Sequence, residues 1–216
     1  SPQVEIGTTP TAYQATNASG IAIDHPANDA GLVLEGNSTN LCLYSDDFAN
    51  AAWTKGTGGV LSNLFVAPDG NTVADNLIYD FVTPAIAKAE QTITVTASTT
   101  YTFSCWVRSP SGLAVPRVEI ENASTAVNYA TSTVNVETTW TRISCTGAIP
   151  GGVTSIKVRV SETTTNNLVV WGAQLESGTA ATSYIPTVAA SSLRLADVAG
   201  LVSPHNLALY SDTQTH

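Results

Sequence analysis

Apolar and polar residues alternate with period two through the middle of this chain, which is the signature of strands that bury one face. Tyr101, Phe103, Cys105 and Val107 alternate with Thr102, Ser104, Trp106 and Arg108. Ile156, Val158 and Val160 alternate in the same way with Lys157, Arg159 and Ser161. The pattern predicts strands over 92–97, 101–109, 117–122, 140–147, 155–162 and 168–176, all rich in β-branched and aromatic residues. Turn chemistry separates them: Ser109-Pro110-Ser111-Gly112, Pro150-Gly151-Gly152 and the polar run 163–167. Helical periodicity is nearly absent, and Ser45 ahead of Asp46-Asp47-Phe48 predicts one capped turn at most. The expected fold is all-β, an antiparallel β-sandwich or jelly roll. Its expected core includes Tyr101, Phe103, Cys105, Ile143, Cys145, Ile156 and Val158.

Two internal repeats divide the chain. QVEIGTTPTAY (3–13) matches QLESGTAATSY (174–184) without gaps, at an offset of 174 − 3 = 171. NLCLYSD (40–46) recurs as NLALYSD (206–212), at an offset of 206 − 40 = 166. The order is closing motif, opening motif, a long middle, closing motif, opening motif. We therefore expect one module at 40–187. Residues 1–39 read as the end of a preceding unit plus a connector, and 188–216 as a connector plus the start of a following unit. The alternative is that the flanks pack on each other or on neighbouring chains. A sequence of 216 residues with no Met reads as a fragment or a processed product.

Composition narrows the partners. Charged residues make up 12% of the chain, against about 25% in an ordinary soluble domain. Ser, Thr, Asn and Gly take their place, so the surface is polar but largely neutral and suits hydroxyl-rich ligands. Eight Lys and Arg in a chain of net charge −9 argue against nucleic acid. No apolar run has the length of a membrane span, so no membrane insertion is expected. Cys42, Cys105 and Cys145 are an odd set that reads as buried free thiols rather than a disulfide framework.

Four segments in fixed order carry a resemblance: NLCLYSDDFANAAWTK (40–55), VAPDGNTVADNL (66–77), TASTTYTFSCWVRS (96–109) and WGAQLESGTAATSYIPT (171–187). Together they resemble the phage tail- and head-fibre domains of the carbohydrate-binding-like jelly-roll kind. The resemblance implies a sandwich on a virion or prophage appendage, acting outside the cell and assembled as a homo-oligomer, with a trimer favoured. It implies a host cell-surface polysaccharide or lipopolysaccharide as partner, bound without chemistry. The rival reading is a purely structural or oligomerisation domain of a fibre or decoration protein.

Sugars are held by aromatic planes and by planar polar groups that bridge hydroxyls. Trp106 with Arg108 is the leading ligand-binding pair, because pleat parity turns both outward when Phe103 and Cys105 point inward. Lys157 and Arg159 would add positive charge if their strand is nearby, and acidic sugars would follow. Tyr79, Asp80 and Tyr129 complete the candidate set. Trp53 and Trp171 read as packing. Glu119 and Glu121 share one strand face roughly 7 Å apart, within the range for paired glycosidase carboxylates, but so would any two alternate acids. No catalytic residue is expected. Calcium is a possible structural cofactor, since relatives bind it with acids of the first and last strands. Asp46, Asp47 and Glu176 are the candidate ligands, although Gly172 and Ala173 stand where such relatives often carry an acid.

Overall fold

The alternating segments fold as strands of two five-stranded antiparallel sheets, packed face to face around one apolar core. The computed structural model describes residues 35–197, and these form one compact unit, Glu35–Asp197. The motifs at 3–13 and 206–212, and most of both flanks, lie outside the described residues.

The strands in chain order are β1 Ser38–Asn40, β2 Thr54–Lys55, β3 Val60–Val66, β4 Thr72–Leu77, β5 Lys88–Thr94 and β6 Thr100–Arg108. They continue with β7 Pro116–Asn122, β8 Asn128–Thr133, β9 Thr141–Ala148, β10 Ser155–Glu162, β11 Leu168–Ser177 and β12 Ser192–Arg194. One sheet has the order β2-β5-β10-β7-β8 and the other β3-β4-β11-β6-β9. Every neighbouring pair is antiparallel. This is the expected sandwich. No described residue lies in an α-helix, so none of the described chain forms a helix able to cross a membrane.

Parity places the core where the alternation put it. Tyr101, Phe103, Cys105, Ile143, Cys145, Ile156 and Val158 are all buried between the sheets. Trp53 joins them, its ring 4.7 Å from that of Phe48 and its Nε1 donating to the Tyr44 carbonyl at 2.9 Å. All three cysteines are buried free thiols. Burial pushes the Cys105 and Cys145 thiols up to about 12 and drives Cys42 in the same direction.

Ser45 does not cap a helical turn. It is fully buried, and its carbonyl accepts from Ala173 N while its Oγ accepts from Thr187 N at 2.9 Å. The opening motif is thereby clasped to the closing motif. Asn40 holds the other end: its Nδ2 donates to the carbonyls of Ala173 and Ile185, and its Oδ1 accepts from Leu175 N. β1 pairs with β12, so the inner ends of the two flanks form a two-stranded ribbon with Asn40 opposite Ser192.

Candidate functional site: an aromatic cluster on one sheet face

The outward residues of the β3-β4-β11-β6-β9 sheet form a second apolar cluster, separate from the core. Ala67, Ala74, Val169 and Trp171 are buried in it, and Phe65, Val73, Trp106, Trp140 and Tyr184 pack against them half-buried. Register brings the rings together. Trp106 on β6 lies opposite Trp171 on β11 and opposite Arg142 on β9, so three strands present Trp171, Trp106 and Arg142 in one row.

A β-bulge makes the row possible. The β11 register shifts between Trp171 and Gln174, and Gly172 sits in the bulge at a φ of +65°. A Cβ there would meet Trp106 Cδ1 at 3.3 Å and Tyr184 at 3.4 Å. Glycine is thus required for both backbone conformation and close approach of the two rings. The Tyr184 ring lies 4.4 Å from that of Trp171, and its hydroxyl is 2.6 Å from Ser45 Oγ. Burial pushes the Tyr184 hydroxyl well above its ordinary pKa.

Arg108 completes the site from the next outward position. Its guanidinium carbon stands 4.8 Å from the Phe65 ring centre and 5.5 Å from that of Trp140. Nη1 donates to the Thr138 carbonyl at 2.9 Å. Trp140 Nε1 donates to the Val66 carbonyl at 3.1 Å, although β3 and β9 are opposite edges of the sheet. The end of β3 therefore reaches across the face near Arg108, and the 178–187 segment covers the other end. Trp106 lies half-buried in the same cluster as Phe65, Trp140 and Tyr184.

The guanidinium groups of this face are held by neutral partners. Arg142 donates to the Thr182 carbonyl and to Ser104 Oγ, and burial lowers its pKa from the ordinary guanidinium value. Trp171 Nε1, Arg108 Nε and Arg142 Nε are buried with no protein acceptor.

Lys157 and Arg159 are not nearby. Their strand, β10, belongs to the other sheet, and they point outward on the opposite side of the sandwich. Arg159 bonds Glu90 at 2.8 Å, Glu119 at 3.2 Å and Glu121 at 2.9 Å, while Lys157 bonds Glu121 at 2.8 Å. The locally cationic face expected from Arg108, Lys157 and Arg159 does not form, because parity fixes inward or outward but not which sheet a strand joins. Glu119 and Glu121 do share a face, yet both are buried in these ion pairs.

The remaining candidates are dispersed. Tyr79 and Asp80 lie in the loop after β4, outside the aromatic cluster. Hydrogen bonds from Thr57, Thr83 and Val82 N hold the Asp80 carboxyl well below its ordinary pKa. The same turn leaves Phe81 74% exposed, edge-on to Tyr79 at 4.8 Å. Tyr129 accepts from Asn122 Nδ2 at 2.8 Å and packs on the core.

The calcium set does not assemble. Among the described residues no group of three or more His, Cys, Asp or Glu side chains lies within reach of one ion. The oxygens of Glu176 accept from Ser38 Oγ, Gln174 Nε2 and both Thr182 N and Thr182 Oγ1.

No family model matches the chain, and no curated protein does. Solved structures resemble it in part. The enzymatically active domain of tailspike protein 4 of bacteriophage CBA120 is 15% identical with a TM-score of 0.47, over 64% of this chain and 21% of that one. The xylan-binding domain from Paenibacillus barcinonensis is 12% identical with a TM-score of 0.46, over 67% of this chain and 94% of that one. A carbohydrate-binding module of Cellvibrio mixtus lichenase 5A, in complex with cellotriose, is 16% identical with a TM-score of 0.39, over 66% and 97%. The chain thus spans about a fifth of the tailspike domain, 21% of its length.

Proposed function

We propose that this chain is a non-catalytic glycan-binding module of a phage or prophage fibre. The observation that carries the binding is the aromatic cluster: half-buried Trp106 and Trp140 beside the guanidinium of Arg108, which lies over the Trp140 ring. Ring faces of this kind stack on the apolar faces of pyranoses, and the flanking polar groups meet hydroxyls. The ordered motifs at 40–55, 66–77, 96–109 and 171–187 support the fibre assignment.

The ligand that fits is neutral. Arg108 and Arg142 are engaged with rings and carbonyls, and Lys157 and Arg159 serve Glu90, Glu119 and Glu121 on the other sheet. An acidic sugar would meet only Arg108 and Arg142 on this face, each already held by backbone carbonyls, a hydroxyl or rings. A glycan array probed with the full chain should therefore return neutral hexose or hexosamine oligosaccharides of cell surfaces. A response confined to sialylated or uronic-acid glycans would contradict the neutral assignment, and a blank array would contradict binding.

One observation favours a structural reading. Leu61, Leu64 and Val66 are exposed along β3, an edge strand of its sheet. An apolar open edge is a place where chains associate. A trimer joined through β3 would show a threefold mass by light scattering, and Leu64→Asp would return it to a monomer. A monomer mass for the unaltered chain at every concentration would defeat that reading.

A further inference from the structure

The far end of β3 belongs to an edge strand, yet it forms part of the aromatic cluster. The Phe65 ring centre lies 4.8 Å from the Arg108 guanidinium carbon, and the Val66 carbonyl accepts from Trp140 Nε1 at 3.1 Å, from the opposite edge of the sheet. Regular pairing with β4 would not bring it there. β3 advances from Leu61 to Phe65 while β4 steps back only from Asn76 to Ala74, so Ser62, Asn63 and Leu64 stand opposite Asp75 alone. Such an insertion bends the bulged strand and increases its twist. Phe65 is the first paired residue beyond it, opposite Ala74 of the same cluster.

The centre of the bulge needs a support. Asn63 is exposed and has a φ of +52°, in the left-handed region that Asn tolerates better than most side chains but that persists only where the surroundings hold it. Asp75 provides the hold. Its Oδ1 accepts from Asn63 N at 2.8 Å, and its Oδ2 accepts from Phe48 N at 2.7 Å. Pleat parity turns Asp75 the same way as Leu77, into the sandwich, where it is 1% exposed. Burial pushes the carboxyl above its ordinary pKa against the bonds from Asn63 and Phe48. A carboxylate is costly in such a place unless it is hydrogen-bonded, and here its bonds tie the β3 bulge to the chain entering Phe48.

We infer that Asp75 is a positioning residue for the glycan site: by fixing the Asn63 bulge, it sets where Phe65 and Val66 lie against Arg108 and Trp140. The inference rests on reading that face as the binding site. Asp75 points to the core side of β4, so it acts on a ligand only through β3.

Two variants of the full chain break the same bond from its two sides. Asp75→Asn removes one acceptor. Asn63→Pro removes the N–H and fixes φ near about −65° at an exposed edge position, so it stays informative if the first variant fails to fold. Asn63→Gly keeps both the N–H and the φ and is the control. Hydrogen exchange of peptide 61–67 and the Trp140 indole N–H signal, assigned by its loss in Trp140→Phe, report the β3 end. Titration with the neutral oligosaccharide that binds best on the array reports the site. Asp75→Asn and Asn63→Pro should each speed exchange of 61–67 about tenfold, shift the Trp140 signal and weaken binding about tenfold. Peptides within 101–108 and 155–162 should keep their rates, and Asn63→Gly should match the unaltered chain throughout. No change at 61–67 and Trp140 in either variant would overturn the hold of Asp75 on β3. A loosened β3 end with unchanged affinity would overturn its role at the site, and so would faster exchange spread evenly into 101–108 and 155–162. No binding by the unaltered chain would instead overturn the glycan reading, and the exchange of 61–67 would still decide whether Asp75 holds β3.

Discussion

Gly172 passes directly beneath Trp106: a side-chain carbon added at Gly172 would sit 3.3 Å from Trp106 Cδ1. One residue without a side chain thus makes room for the Trp106 and Tyr184 rings. Gly172→Ala places a side chain at a φ of +65° and crowds both Trp106 and Tyr184. The expected cost is about 1–3 kcal/mol, read as a lower melting temperature. The near-ultraviolet dichroism of the indoles should change with it. An unaltered melt and spectrum would contradict this account of the bulge.

Glu176 links the clasp to pH. Burial would raise its pKa, but the hydrogen bonds from Ser38, Gln174 and Thr182 outweigh burial and hold it below the ordinary value. A carboxylate lowered on folding adds stability above its unfolded pKa of about 4.3. That contribution is lost as the pH falls through the folded value. Glu176→Gln should lower stability at pH 7 by about 1–3 kcal/mol, and the gap to the unaltered chain should close below about pH 4. Melting curves across that range decide it; a constant gap would place the effect elsewhere.

On the opposite face, Arg159 is the hub of three carboxylates. Burial lowers its pKa, but Glu90, Glu121 and Glu119 more than compensate and raise it overall. Arg159→Ala should cost about 3 kcal/mol, because it strands buried charge. The urea midpoint should drop at unchanged slope, and glycan binding should be untouched.

The cysteines should react slowly. With Cys105 and Cys145 pushed up to about 12 by burial, almost no thiolate exists at pH 8. Thiol titration should find none reactive within minutes in the native chain and three after denaturation. Rapid native labelling would show that the core opens.

Where alternation was clean, the fold was legible. Phe103, Cys105, Ile156 and Val158 announced both their strands and their buried face. β5 runs over Lys88–Thr94 rather than 92–97, since Lys88 and Glu90 point outward between a small Ala89 and a polar Gln91 that bonds Leu43. β8, Asn128–Thr133, has no apolar alternation to read because it is an edge strand. The aromatic cluster was half legible. Trp106 and Arg108 follow from parity on one strand. Phe65, Trp140 and Tyr184 join them only through cross-sheet register and through the end of β3 reaching across the face, neither of which a one-dimensional pattern encodes. The Trp140–Arg142 spacing, which repeats that of Trp106–Arg108, was the available signal.

The most direct test is calorimetric titration of the best neutral oligosaccharide from the array into three proteins: the unaltered chain, Trp106→Ala and Lys157→Ala. Each is measured well below its melting temperature. The aromatic cluster predicts saturable binding by the unaltered chain and a loss of at least tenfold, about 1.4 kcal/mol, for Trp106→Ala. Lys157→Ala, on the far face, should bind as the unaltered chain does. Equal affinity in Trp106→Ala and the unaltered chain, or a loss seen only with Lys157→Ala, would contradict the account.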